Sequence, residues 1–348
     1  MSRWLDPRCR PLPFSLPGPF VVLGDDRLLM VREGAALTSA DDGATWSEPR
    51  PIPGLESSGA LDNTGSLLRT RGGMVVLVYM DQADFHFGWD PERGEPSPDS
   101  RCDVWAIRSL DDGERWQDHQ RLLCGYCGAI QNIVETRAGD LVVPMQNMVP
   151  CPGRNVQYTY RSTDQGVSWT RSNVLDLGGH GHHDGGFEGT VAELSDGRLL
   201  MLLRTNLDCF WEAVSTDGGR FWRELRPSAL DASSAPGCLL RLADGRLALA
   251  WNRLYPEGQS AFPRRDDPRF HETLASWQRD ELSLAFSADD GRSWTEPVVL
   301  AREPGISAQG RYLSYPALLE RRPGELWITT RFNVQPPLSV RVEEGEFI

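Results

Sequence analysis

The chain has 348 residues, 40% of them hydrophobic and 24% charged, with a formal net charge of −13. That composition excludes intrinsic disorder, and the acidity argues against nucleic acid or an anionic membrane as partner, because both need a basic face. No apolar run approaches the roughly 20 residues that cross a bilayer, and Met-Ser-Arg-Trp-Leu-Asp-Pro-Arg at the start carries no apolar stretch of signal-peptide type. The corresponding expectation is a cytoplasmic protein with seven reduced thiols.

Along the chain one frame keeps returning. Ser39-Ala-Asp41-Asp-Gly43-Ala-Thr-Trp46 is followed by Ser109-Leu-Asp111-Asp-Gly113-Glu-Arg-Trp116 and Ser162-Thr-Asp164-Gln-Gly166-Val-Ser-Trp169. Ser215-Thr-Asp217-Gly-Gly219-Arg-Phe-Trp222 and Ser287-Ala-Asp289-Asp-Gly291-Arg-Ser-Trp294 complete the set. In each copy Asp can accept backbone N–H groups across a tight turn, Gly supplies a positive φ, and Trp folds back onto a sheet. Each copy therefore marks a hairpin corner.

The tryptophans of successive copies are 70, 53, 53 and 72 residues apart, so the shortest unit holds about four strands with their turns. Upstream of the boxes lie paired strand-like runs such as Val191-Ala-Glu-Leu-Ser-Asp-Gly-Arg-Leu-Leu-Met-Leu and Leu239-Leu-Arg-Leu-Ala-Asp-Gly-Arg-Leu-Ala-Leu-Ala. A radially repeated four-stranded unit is a propeller blade. Five blades are predicted at 19–54, 62–123, 128–175, 188–227 and 236–300, each with one box. A sixth, 315–343, lacks a box and takes its outer strand from residues 2–13. The expectation is an all-β, six-bladed β-propeller forming a single domain over 1–348, closed by the N-terminal strand.

Repeated Asp-boxes on six blades resemble the sialidase (neuraminidase) superfamily over nearly the whole chain. Phe187-Glu188-Gly-Thr-Val-Ala-Glu-Leu-Ser-Asp-Gly-Arg-Leu-Leu-Met-Leu-Leu-Arg204 is similar to the family's central-blade segment. The resemblance implies that Glu188 polarises a tyrosine nucleophile and that Arg204 grips a substrate carboxylate. Ser314-Tyr315-Pro-Ala-Leu is similar to the segment that opens the last blade, which makes Tyr315 the nucleophile. Arg279 stands where a further substrate-binding arginine is expected.

Two family features are displaced. Phe14-Ser-Leu-Pro17 replaces the opening Arg-Ile-Pro, and the loop that bears the acid Asp has shrunk to Val31-Arg-Glu-Gly34. Arg32 or Arg311 is a candidate for the missing charge, and Glu33, Asp62 or Asp99 for the acid. Blade geometry also brings His180-Gly-His-His183-Asp184 and Asn252 to the same face, so His183, Asp184 and Asn252 are candidate substrate contacts. The histidine spacing matches no standard metal motif, and Cys124-Gly-Tyr-Cys127 lacks a second ligand pair, so neither metal nor cofactor is expected.

The implied activity is that of an exo-glycoside hydrolase, removing a terminal acidic sugar through Tyr315 and Glu188. A phenol approaches an anionic sugar without the repulsion a carboxylate nucleophile meets. A propeller polysaccharide lyase or uronate-directed glycosidase, and a non-catalytic glycan-binding propeller, are the alternatives.

Overall fold

Short apolar runs separated by Asp-Gly and Gly turns fold here as antiparallel strands. A computed structural model describes residues 3–55, 65–265, 273–331 and 336–348, and no α-helix occurs among them. Six sheets follow one another, their strands in sequence order from the first outward except that N-terminal strands form the outer edges of the last two, and together they form a six-bladed β-propeller. Blade 4 illustrates the pattern: Phe187–Glu193, Leu199–Arg204, Cys209–Ser215 and Arg223–Asp231.

Second strands sit inside a blade and are covered on both faces by its neighbours. They therefore read as continuous apolar runs rather than alternating ones. Val75–Met80, Leu199–Arg204 and Leu247–Trp251 are buried at every position. The core accordingly lies between blades: Leu284 and Phe286 of blade 5 share one cluster with Ile328 and Val340 of blade 6. Backbone-to-carboxylate bonds add a periodic tie, from Arg71 N to Glu135 Oε2 (2.8 Å), Arg137 N to Glu193 (2.9 Å) and Ala243 N to Glu320 (2.7 Å).

The N-terminal segment divides between two blades. Arg10–Pro11 pairs with Ser339–Glu343 as the outer strand of blade 6, whereas Trp4–Leu5 adds a fifth strand to blade 5 beside Val298–Arg302. Two insertions carry their own short pairs. Trp89–Asp90 pairs with Glu95–Pro96 in blade 2, and Arg264–Arg265 with Ala275–Ser276 in blade 5. The second of these has no counterpart in the sequence reading.

The repeated frame turns on its serine. In all five boxes the Gly N–H donates to the Ser Oγ at 2.7–2.9 Å, and that hydroxyl donates to the Asp carboxylate. The glycines have φ from 81° to 86°, the left-handed conformation that their lack of Cβ permits.

Ser215 is fully buried, so Ser215→Ala leaves the Gly219 N–H without its acceptor and is expected to cost about 1–3 kcal/mol in urea unfolding. The Ser293 hydroxyl and amide hold Asp289 down at about 2. A depressed carboxylate stabilises the fold above its ordinary value of about 4. Stability should therefore fall as pH drops from there toward 2, and Asp289→Asn should flatten that part of an acid titration followed by thermal melting.

Candidate active site

One face of the propeller holds a cavity of about 570 Å³, built from the ends of second strands, the starts of first strands and the two insertions. Blades 2 to 6 line it.

Glu188 stands at the irregular start of the first strand of blade 4, where the register shifts between Phe187 and Thr190. Its φ is 49°, and Tyr315, just before the first strand of blade 6, has φ 55°. Left-handed backbone at a non-glycine residue costs of order 1–3 kcal/mol and persists only where surrounding bonds enforce it. At Glu188 they come from blade 3: Gln146 Oε1 accepts from Glu188 N, and Gln157 Oε1 accepts from Gly189 N, each at 3.2 Å. A Cβ at Gly189 would sit 2.9 Å from Met201 Sδ and 3.2 Å from Gln157 Cδ, so a side chain there would press on both.

These two strained positions bring their side chains together. Tyr315 Oη donates to Glu188 Oε1 at 2.8 Å. Arg204, at the end of the second strand of blade 4, donates from Nη1 to Glu188 Oε2 at 2.7 Å and to Tyr315 Oη at 3.1 Å. Its Nε and Nη2 bond to Ser234 Oγ at 3.1 and 3.0 Å, and the guanidinium lies 4.5 Å over the Phe187 ring. Burial opposes the charge on Arg204, but Glu188 and then Tyr315 outweigh it and hold its pKa above the ordinary value. Burial, followed by the charge of Glu188, pushes the Tyr315 phenol up to about 12 against the pull of Arg204 and Arg279. The phenol is thus protonated and aimed at a carboxylate.

Arg279 is equally buried, at 1% exposure, yet differently engaged. Nη2 donates to Ser234 O at 2.7 Å, Nε has no hydrogen-bond partner, and among the described residues no carboxylate lies within ion-pair distance. Trp277 and Tyr312 flank it at 4.4 and 4.8 Å. Burial, then the like charge of Arg204, lowers its pKa to about 10.

The opposite wall is aromatic. His182 stacks between Phe87 and His183 at 4.2 and 4.3 Å, and His183 meets the edge of Trp277 at 5.1 Å. Burial first, and then Arg204 and Arg265, depresses His182 to about 4, and His183 falls well below its ordinary value for similar reasons. Neutral imidazoles therefore face the cavity near pH 7.

Of the residues singled out from sequence, Tyr315, Glu188, Arg204, Arg279 and His183 converge on this cavity. The other candidates among the described residues do not line it. Asp99 is an exposed residue of the blade 2 insertion, 3.0 Å from His86. Arg311 is held by Glu303 at 3.1 Å, and Arg32 by Glu33 at the same distance. Asn252 is fully buried and ties Glu281 O to Leu313 O, because an amide at a strand end can satisfy two carbonyls at once. Asp184 accepts from Asn206 Nδ2 and His180 N and so shapes the histidine loop from behind. Asp62 lies outside the described residues. Phe14 belongs to an aromatic cluster with Phe20, Trp46 and Trp327.

Trp277, Arg265 and Tyr312 line the cavity without having been anticipated. Trp277 and Arg265 ride on the blade 5 insertion, whose only sequence signal is the extra length between strands two and three. All seven cysteines are free thiols, and among the described residues no three His, Cys, Asp or Glu side chains group as a metal site.

The buried phenol gives a spectroscopic test. Ultraviolet titration of the wild type minus Tyr315→Phe should show that the extra phenol stays protonated at pH 10, where a free tyrosine is about half ionised. Ionisation at pH 10 would mean an open, solvated hydroxyl. Arg204→Ala strands the Glu188 charge and is expected to cost about 3–5 kcal/mol in chemical unfolding.

Comparison with known proteins follows the same lines. A curated sialidase from Micromonospora viridifaciens is 21% identical over 325 residues, which cover 88% of this chain but 45% of that protein, so the chain spans less than half its length. A protein of unknown function from Dyadobacter fermentans superposes with a TM-score of 0.65 at 15% identity, over 98% of this chain and 96% of that one. The Hadza microbial sialidase Hz136 gives 0.61 at 15% identity, over 94% and 65%. These superpositions establish the fold, that of the sialidase-like propellers. The model of the BNR repeat-like domain matches residues 63–328, most of the chain, and the protein belongs to that family.

Proposed function

We propose that the protein is an exo-glycoside hydrolase that removes a terminal acidic sugar, with Tyr315 as nucleophile and Glu188 as its base. The observation that carries this reading is the Tyr315 Oη–Glu188 Oε1 hydrogen bond of 2.8 Å at a cavity that also presents Arg279. In the first step Tyr315 Oη bonds to the anomeric carbon, its proton passes to Glu188 Oε1, and the bond to the leaving oxygen breaks. Water then displaces the tyrosine, which takes its proton back from Glu188, while the group that protonated the leaving oxygen takes a proton from the water. Arg204 pairs with Glu188 and stabilises negative charge on the phenolic oxygen as the proton leaves.

Glu188 is the one carboxylate among the described residues that line the cavity, and it is engaged with the nucleophile. Asp62, on the segment opening blade 2, is our candidate for protonating the leaving oxygen. Asp62→Ala should then slow turnover of glycosides with poor leaving groups and spare activated aryl glycosides.

The two arginines take separate roles. Arg204 spends its donors on Glu188, Tyr315 and Ser234, whereas Arg279 has donors left for a substrate carboxylate. A desolvated bidentate contact of this kind is worth about 2–5 kcal/mol. Arg279→Met should therefore raise KM for an acidic sugar by orders of magnitude and leave a neutral analogue nearly unchanged, while Arg204→Lys should depress kcat on both.

A panel of aryl sialosides and uronides, followed by mass spectrometry of an enzyme trapped with a fluorinated substrate, tests the whole reading. A sugar adduct on the peptide carrying Tyr315 is the expected result. A product with a new C=C absorbance would instead identify a lyase, and binding without turnover, unaffected by Tyr315→Phe, a glycan-binding propeller.

A further inference from the structure

The central channel is a second cavity, about 850 Å³, lined by the first strands of the blades. Its inner end meets the back of the active site, where Arg331 N donates to Tyr315 O at 3.1 Å. Arg331 follows the second strand of blade 6, as Arg204 ends that of blade 4, but its guanidinium lines the channel.

Arg331 is 5% exposed and Gln131 3%. Nη1 donates to Gly65 O at 3.2 Å, and Nη2 to Gln131 O and Oε1 at 3.3 and 3.0 Å. Among the described residues no carboxylate comes within ion-pair distance of this cation. Two polar atoms in this cluster lack a partner, Arg331 Nε and Gln131 Nε2, and each is a donor. The hydrogen bond from Arg331 to Gln131 Oε1 holds these donors beside each other. Glu135, in the first strand of blade 3, is four residues beyond Gln131, about 13 Å along the chain, and is already tied to Arg71. A buried cation answered only by carbonyl oxygens is incompletely compensated.

We propose that the inner end of the channel binds a small monovalent anion of the halide class between Arg331 Nε and Gln131 Nε2. A water molecule there would accept from the donors but would bring no negative charge to the cation. An anion needs donors alone and supplies the missing charge. Arg331 interacts electrostatically with Tyr315 and Glu188, so an occupied site moderates the positive potential behind the nucleophile.

Bromide is the probe. Crystals of the full chain grown in sodium bromide should show an anomalous peak in contact with Arg331 Nε and Gln131 Nε2. Melting temperature should rise in sodium bromide relative to sodium gluconate at equal ionic strength, with saturation. Gln131→Leu, which keeps the cation, should weaken the apparent affinity at least tenfold. Gln131→Glu should abolish the response by placing a carboxylate against Arg331. Equal melting in the two salts without an anomalous peak, or a bromide response unchanged in these variants, would overturn the proposal in favour of water in the channel or general surface binding of ions.

Discussion

A carboxylate at 5% exposure has to be answered on both oxygens, and the geometry around Glu188 follows from that demand. Oε2 takes the guanidinium of Arg204 and Oε1 takes the phenol of Tyr315. These partners come from the same blade and from one two blades away, so the pairing exists only when the ring of blades is assembled. Removing Arg204 leaves the Glu188 charge uncompensated, and removing Tyr315 leaves Oε1 without its donor. The same bonds that satisfy the carboxylate hold a protonated phenol at the cavity.

The scaffold makes such placement affordable. Left-handed backbone at Glu188 and Tyr315 stores strain, and the strain is opposed by amides of blade 3 and by the packed strands that follow each residue. The five boxes lie at the remote corners of the blades, where buried serines pin each hairpin through the Gly N–H and the Asp carboxylate. Stability is thus concentrated between blades and at their corners, away from the mouth of the cavity, where insertions differ in length and bring in Phe85, Arg265 and Trp277.

Chemically similar arginines acquire different duties from their surroundings. Arg204, Arg279 and Arg331 are all nearly fully buried. Arg204 is matched by a carboxylate, and its charge is reinforced. Arg279 faces aromatic rings and one carbonyl, so burial and its like-charged neighbour weaken its hold on the proton and leave it receptive to an anion. Arg331 faces the channel behind the floor and meets only carbonyl and amide oxygens.

The sequence alone sets the blade count and the fold class, because turn chemistry and strand burial are local and repeat from unit to unit. Ser-x-Asp-x-Gly-x-x-Trp dictates its own corner, and an apolar run flanked by Gly turns dictates a strand. It also pointed to Glu188, Arg204, Arg279 and Tyr315 through resemblance, and the structure gathers these residues at one cavity. Tertiary structure alone decided which polar residues face that cavity and which are ties within the fold. Asn252 and Asp184 read as contacts in the sequence, yet their side chains satisfy buried carbonyls and amides from other segments. Trp277 was invisible because an insertion of irregular backbone carries no periodic signal. A side chain's direction there depends on long-range packing across blades, and that is a property of the closed ring rather than of any stretch of chain.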